Sequence, residues 1–219
     1  MRTAGVGGGG HTRVAVPSGC RGTRGEQHGR GAGVPPRARA DRRVRAFAER
    51  LRRAGHTVHV PDLFEGRVFD RLEEGVAHAE GIGFGTLVER GTAAAEELPA
   101  DLVYLGFSLG VLPAQKLAQT RPGARGALLV EACLPVAEFG GAWPDGVPVQ
   151  VHGMDADPFF AGEGDVDAAR ALVDGAADAE LFLYPGDRHL FTDRGLPSYD
   201  EQAAADVTRR VIEFLDRVG

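Results

Sequence analysis

The chain has 219 residues, 43% of them hydrophobic and 26% charged, a size and balance suited to one soluble domain with a single core. No run of about 18 apolar residues is present, which excludes a helical membrane span. The formal net charge of −6 argues against a generic nucleic-acid binder, because that task needs clustered positive charge to displace counterions from phosphates. The opening residues lack the apolar middle region of a secretory signal, so a cytoplasmic location is the default expectation. Cys20 and Cys133 match no zinc or redox spacing and read as reduced thiols.

Residues 1–40 are rich in glycine and arginine, hold Glu26 as their sole acid and contain no Leu, Ile, Phe, Tyr or Trp. Such a segment cannot bury a core and is expected to be a disordered tail, with Val14-Ala15-Val16 as its one apolar remnant. Its excess of arginine makes a nucleic-acid-binding arm conceivable, but no helical period or aromatic platform supports one.

From about Asp41 onward, apolar runs alternate with segments of helical period, the pattern of a parallel sheet covered by helices. Val44, Phe47, Ala48 and Leu51 predict a helix over about 42–54, closed by Gly55. A strand follows at 56–60, ended by Pro61. After a looser stretch, helical spacing resumes over 85–98. Further strands are expected at 102–105, 126–130, 147–151 and 180–184, with helices at about 110–120, 165–176 and 200–217. Val207, Val211, Phe214 and Leu215 share one face of the last helix. The fold class is therefore α/β, a mostly parallel sheet with helices on both faces, in one domain over 41–219.

The most informative motif is Gly106-Phe107-Ser108-Leu109-Gly110, a G-x-S-x-G sequence between a predicted strand and a predicted helix. A sharp strand-to-helix turn exposes the serine hydroxyl and needs glycines where side chains would collide with backbone. The helix start aims free N–H groups at the reacting centre, and the backbone N–H of Leu109 is the candidate oxyanion donor. Without those flanks, a glycine-bracketed serine in an ordinary turn would be an equally good reading.

A serine nucleophile requires a base and an acid to orient it. Val149 to Val151 runs out into a loop carrying Asp155 and Asp157, which compete for the acid role. His189 follows the last strand in a Pro-Gly loop and is the base candidate. His152, at a strand end, could line a pocket, though a structural role is the more frequent fate of such a residue. The chain order Ser, Asp, His is the order used by α/β-hydrolases. The run Gly81-Ile82-Gly83-Phe84-Gly85 fails the G-x-G-x-x-G spacing of a dinucleotide site.

Taken together, Val60-Pro61-Asp62-Leu63-Phe64, the serine elbow, Asp157-Pro158-Phe159-Phe160 and Tyr184-Pro185-Gly186 with His189-Leu190-Phe191 resemble the dienelactone hydrolase family of α/β-hydrolases over roughly 41–218. The resemblance implies Ser108, Asp157 and His189 as a triad, with Asp157 rather than Asp155 as acid, because the family's acid precedes a short apolar stretch such as Phe159-Phe160. It implies hydrolysis of a small ester or lactone without metal or organic cofactor, with that small molecule as the partner rather than nucleic acid or membrane. Two departures stand out: serine occupies the place of the family's cysteine nucleophile, and residues 1–40 offer no evident first strand or second oxyanion donor. The abrupt switch near Asp41 is the pattern an out-of-frame 5′ stretch or a degenerate replacement would give. The alternative expectation is accordingly a binding protein that keeps the pocket but has lost turnover.

Overall fold

The computed structural model describes residues 12–17, 39–67, 69 and 72–219. Six strands form one all-parallel sheet in the order β2-β1-β3-β4-β5-β6, with β1 at Arg13–Ala15, β2 at Thr57–His59, β3 at Val103–Phe107, β4 at Gly126–Val130, β5 at Val149–Met154 and β6 at Ala179–Tyr184. Six helices join them: α1 (Arg39–Arg53), α2 (Leu72–Ile82), α3 (Phe84–Glu96), α4 (Val111–Thr120), α5 (Asp165–Gly175) and α6 (Glu201–Val218).

The expectation of a tail without structure over residues 1–40 needs correction at two places. Arg13–Ala15 is a strand inside the sheet, with Val14 opposite Val58 on one side and Val103 on the other, and Arg39 and Ala40 belong to α1. Three residues suffice because both edges of the strand are paired and Val14, Ala15 and Val16 are buried. The rest of that expectation, over residues 1–11 and 18–38 and with Cys20, lies outside the described residues.

Alternation along the strands builds two cores. Val14, Val103, Leu105, Phe107, Leu128 and Val130 face α1 and α6, whose Val44, Phe47, Leu51, Val207, Val211, Phe214 and Leu215 complete that layer. Ala15, Leu102, Tyr104, Ala127, Leu129, Val149 and Val151 face α4 and α5. Both faces being covered explains why the central strands are continuous apolar runs.

Two strands run further than their apolar composition suggests. β3 continues to Phe107, directly into the elbow, and β5 continues through His152 and Gly153 to Met154 because its ladder with β6 persists to the pair Met154–Tyr184. α2, in the segment read as loose, was not expected.

The winding changes direction at β1: the chain passes from β1 to β2 on one side and then to β3 on the other. In open α/β sheets ligands settle beyond the carboxyl ends of the strands at such a point. The carboxyl end of β3 is where Ser108 lies.

Candidate active site

Ser108 adopts φ 47°, the left-handed conformation that a side chain tolerates only under constraint. The constraint comes from its neighbours. A Cβ on Gly106 would stand 2.5 Å from the carbonyl oxygen of Gly110 and 2.6 Å from the Cα of Val111, so the chain can double back only with glycine there. One added at Gly110 would come to 3.3 Å from the carbonyl oxygen of Pro17, at the end of the β1 segment. Leu109 occupies the single turn between Ser108 and α4, its side chain packed against the cluster of Leu63, Ala79 and Leu87. Pro113 falls in the first turn of α4, where no intrahelical donor is lost, and fits into the space left by Gly91 of α3.

Ser108 Oγ lies 2.9 Å from His189 Nε2, and His189 Nδ1 lies 2.7 Å from Asp157 Oδ2. The three predicted residues thus meet in one hydrogen-bonded line, although they come from the ends of β3, β5 and β6. Asp157 is fully buried, and its second oxygen accepts the backbone N–H of Phe159 at 2.9 Å. With the carboxylate so held, His189 is fixed with Nδ1 toward the acid and Nε2 toward the serine.

Asp155, the competing acid, has a different partner. Its Oδ1 accepts the N–H of Gly186 at 3.0 Å and so closes the Pro-Gly turn ahead of His189. His152 does not line a pocket: it is fully buried within β5, its Nδ1 3.0 Å from the Tyr184 hydroxyl and its ring stacked on Phe182. Burial, followed by the charge of Arg210, pulls its pKa from the ordinary 6.5 to about 3. Cys133 is buried behind the site. Desolvation, followed by the nearby Asp165 carboxylate, pushes its thiol up to about 12, so it holds its proton and is inert as a nucleophile.

Phe159 is 39% exposed, and its ring sits 4.7 Å from the His189 imidazole. Across the elbow, Phe64, Ile82 and Leu109 pack on the Leu63 cluster, and Phe64 makes edge contacts with Phe69 and His78. Two arginines near these walls are engaged: Arg90 donates to the Leu63 carbonyl and Glu65, and Arg188 to the Tyr199 carbonyl and Asp200. Trp143 donates to the Val147 carbonyl at 2.6 Å and packs on the α4–α5 side of the sheet.

One residue that sequence reasoning passed over holds the loop that carries His189. Glu131 directly follows β4, is 1% exposed, has φ 66°, and accepts hydrogen bonds from Thr192, three residues beyond His189. An acid at the carboxyl end of an apolar strand was the available signal. Among the described residues no group of three His, Cys, Asp or Glu side chains is arranged to hold a metal ion, and no helix is long and apolar enough to cross a membrane.

The dienelactone hydrolase family profile matches residues 40–219. The chain belongs to the dienelactone hydrolase family. Solved structures agree on the fold of this dienelactone hydrolase family member. A dienelactone hydrolase-like promiscuous phosphotriesterase from metagenomic libraries superposes with a TM-score of 0.66 at 18% identity, covering 97% of this chain and 88% of that one. A Klebsiella pneumoniae protein described as a dienelactone hydrolase gives 0.64 at 19% identity, covering 96% and 88%. Esterase 2 of Thermogutta terrifontis gives 0.55 at 18% identity, covering 95% and 85%. A search of the curated proteins finds no match to the chain. Membership of that family makes the protein a hydrolase, and the solved structures share its fold.

Proposed function

We propose that this hydrolase cleaves small carboxylic esters or lactones through an acyl-enzyme on Ser108. The observation that carries the reading is the continuous line Ser108–His189–Asp157, at 2.9 and 2.7 Å, ending on a fully buried carboxylate. Ser108 Oγ attacks the carbonyl carbon as His189 Nε2 takes its proton. Asp157 holds the imidazole and stabilises the imidazolium that forms, and the backbone N–H of Leu109 donates to the developing oxyanion. His189 then returns the proton to the leaving alkoxide. Water, deprotonated by His189, attacks the acyl carbonyl, the bond to Ser108 Oγ breaks, and His189 gives the proton back to Oγ. In a lactone the alkoxide stays tethered to the acyl group, so the product is one hydroxy acid.

The surroundings favour an uncharged, apolar substrate. Phe159 offers a half-open ring beside the base, Phe64, Ile82 and Leu109 offer an apolar wall, and Arg90 and Arg188 already serve protein oxygens. Carboxylates at Asp155, Asp157 and Asp165 border the same loops and disfavour an anion.

The test is hydrolysis of a short-chain p-nitrophenyl ester, with fluorophosphonate labelling as a second readout. The parental protein is expected to turn over and to label, and Ser108→Ala to do neither. A folded parental protein that neither turns over nor labels would overturn the proposal.

A further inference from the structure

The base loop crosses several strands of the sheet. It leaves the sheet at the end of β6, yet His189 must reach Ser108 at the end of β3, with β5 and β4 in between. At about 4.8 Å per strand, the loop crosses roughly 14 Å over the sheet's carboxyl edge. On the β6 side it is tied by the Gly186 N–H to Asp155 and by Arg188 to Tyr199 and Asp200.

Beyond the histidine the tie is Glu131. Its Oε1 accepts both the backbone N–H of Thr192 at 3.3 Å and the Thr192 hydroxyl at 3.1 Å, between two residues that are each less than a tenth exposed. The Glu131 N–H meanwhile donates to the His152 carbonyl at 2.7 Å, which anchors the residue to β5.

Backbone strain marks the same region. Among the described residues four non-glycines have positive φ, and three of them are Ser108 at 47°, Glu131 at 66° and Leu190, next to His189, at 60°. Each such residue is costly and persists only where its surroundings over-determine it. The strain at Ser108 exposes the nucleophile. The strain at Glu131 turns a carboxylate off the end of β4, and that at Leu190 bends the chain immediately after the base, toward Thr192.

We propose that Glu131 is a positioning residue for His189, acting through Thr192: its buried carboxylate is the pier on β4 that fixes the far end of the base loop. This rests on the serine-hydrolase reading above. Glu131 contacts Thr192 rather than His189 or Ser108, so its removal should lower kcat and leave KM nearly unchanged.

The experiment compares Glu131→Ala, Glu131→Gln, Thr192→Val and the double variant Glu131→Ala/Thr192→Val, in enzymes shown to be folded. A displacement of about 1 Å in a base is worth up to a hundredfold in rate, so Glu131→Ala and Thr192→Val should each lower kcat about ten- to a hundredfold. The double variant should be no slower than the worse single one, because both remove the same tie. Glu131→Gln keeps an acceptor oxygen and should recover most of the activity. A readout independent of turnover is the low-field proton resonance of His189 Nδ1 in its bond to Asp157, which should broaden or vanish in Glu131→Ala and persist in Glu131→Gln.

Unchanged kcat and an unchanged resonance in Glu131→Ala would overturn the inference, as would fully additive losses or a Gln variant as impaired as Ala. Inactivity of the parental enzyme would instead defeat the serine-hydrolase reading, and the resonance would still report whether Glu131 holds His189.

Discussion

Asp155 and Asp157 lie two residues apart on one loop, yet their partners separate them completely. Asp157 accepts from His189, whereas Asp155 accepts from a backbone amide of the turn that precedes it. Asp157→Asn is therefore expected to lower kcat by about a thousand- to ten-thousandfold, because an amide there favours the wrong imidazole tautomer. Asp155→Asn keeps an acceptor for the Gly186 N–H and should stay within a few-fold of the parental rate. Equal losses in the two variants, measured as kcat on the same ester, would contradict this division of roles. Phe159 belongs to the same scale. Its exposed ring beside His189 can contact a substrate's apolar flank but takes no part in proton transfer. Phe159→Ala should raise KM for aromatic and longer-chain esters more than for acetate esters, with kcat the less affected constant, as steady-state kinetics over a chain-length series will show.

Among the elements, the loop from Met154 to Phe160 depends on a close approach that only glycine permits. A Cβ on Gly153 would stand 2.3 and 2.4 Å from two ring carbons of Phe160, which is fully buried three residues after Asp157. Gly153→Ala should destabilise the protein by about 1–3 kcal/mol, as overpacked cores do. Because the displaced ring shares its loop with the acid, kcat should fall as well. A variant with the parental urea midpoint and kcat would show that the ring moves at no consequence to the loop. Such contacts mark where sequence reading stops. α1, α4, α5 and α6 were legible because their apolar positions repeat at helical spacing, and the serine elbow because a motif concentrates its signal in five residues. α2 was not, since Leu72, Val76, Ala79 and Ile82 are interrupted by Gly75 and Gly81 and of its residues only Ala79 is fully buried. β1 was legible only as an apolar remnant, because what makes three residues a strand is pairing with partners more than forty positions away. Glu131 escaped for the same reason: a lone acid after a strand resembles a turn residue, and its contact lies 61 residues along the chain.

For the molecule as a whole, the sheet is covered on both sides, and a titratable group placed inside it couples folding to pH. His152 is that group, fully buried between β4 and β6 under α6, with Tyr184 on Nδ1, Phe182 against its ring and Arg210 nearby. Its folded-state pKa is depressed by burial and then by Arg210, from 6.5 to about 3. Above the ordinary histidine pKa both folded and unfolded chains hold a neutral imidazole, and the group contributes its full stability. As pH falls through 6.5 the unfolded chain takes up a proton that the folded chain refuses, and stability drops by about 1.4 kcal/mol per pH unit until the folded form titrates as well. Between pH 7 and pH 5 this one residue should therefore remove about 1–2 kcal/mol. His152→Gln carries no titrating group and can still hydrogen-bond the Tyr184 hydroxyl, so it isolates the effect from any carboxylates that titrate in the same range. Urea unfolding of both proteins at pH 7, 6 and 5 should show the parental stability falling more steeply, and parallel pH dependences would place the acid sensitivity of this fold elsewhere. The position also has a consequence for activity. His152 neighbours Glu131 through the β4–β5 ladder, so acid that opens the core at β5 loosens the pier of the base loop with it. Inactivation in mild acid should accordingly track unfolding in the parental protein and shift to lower pH in His152→Gln.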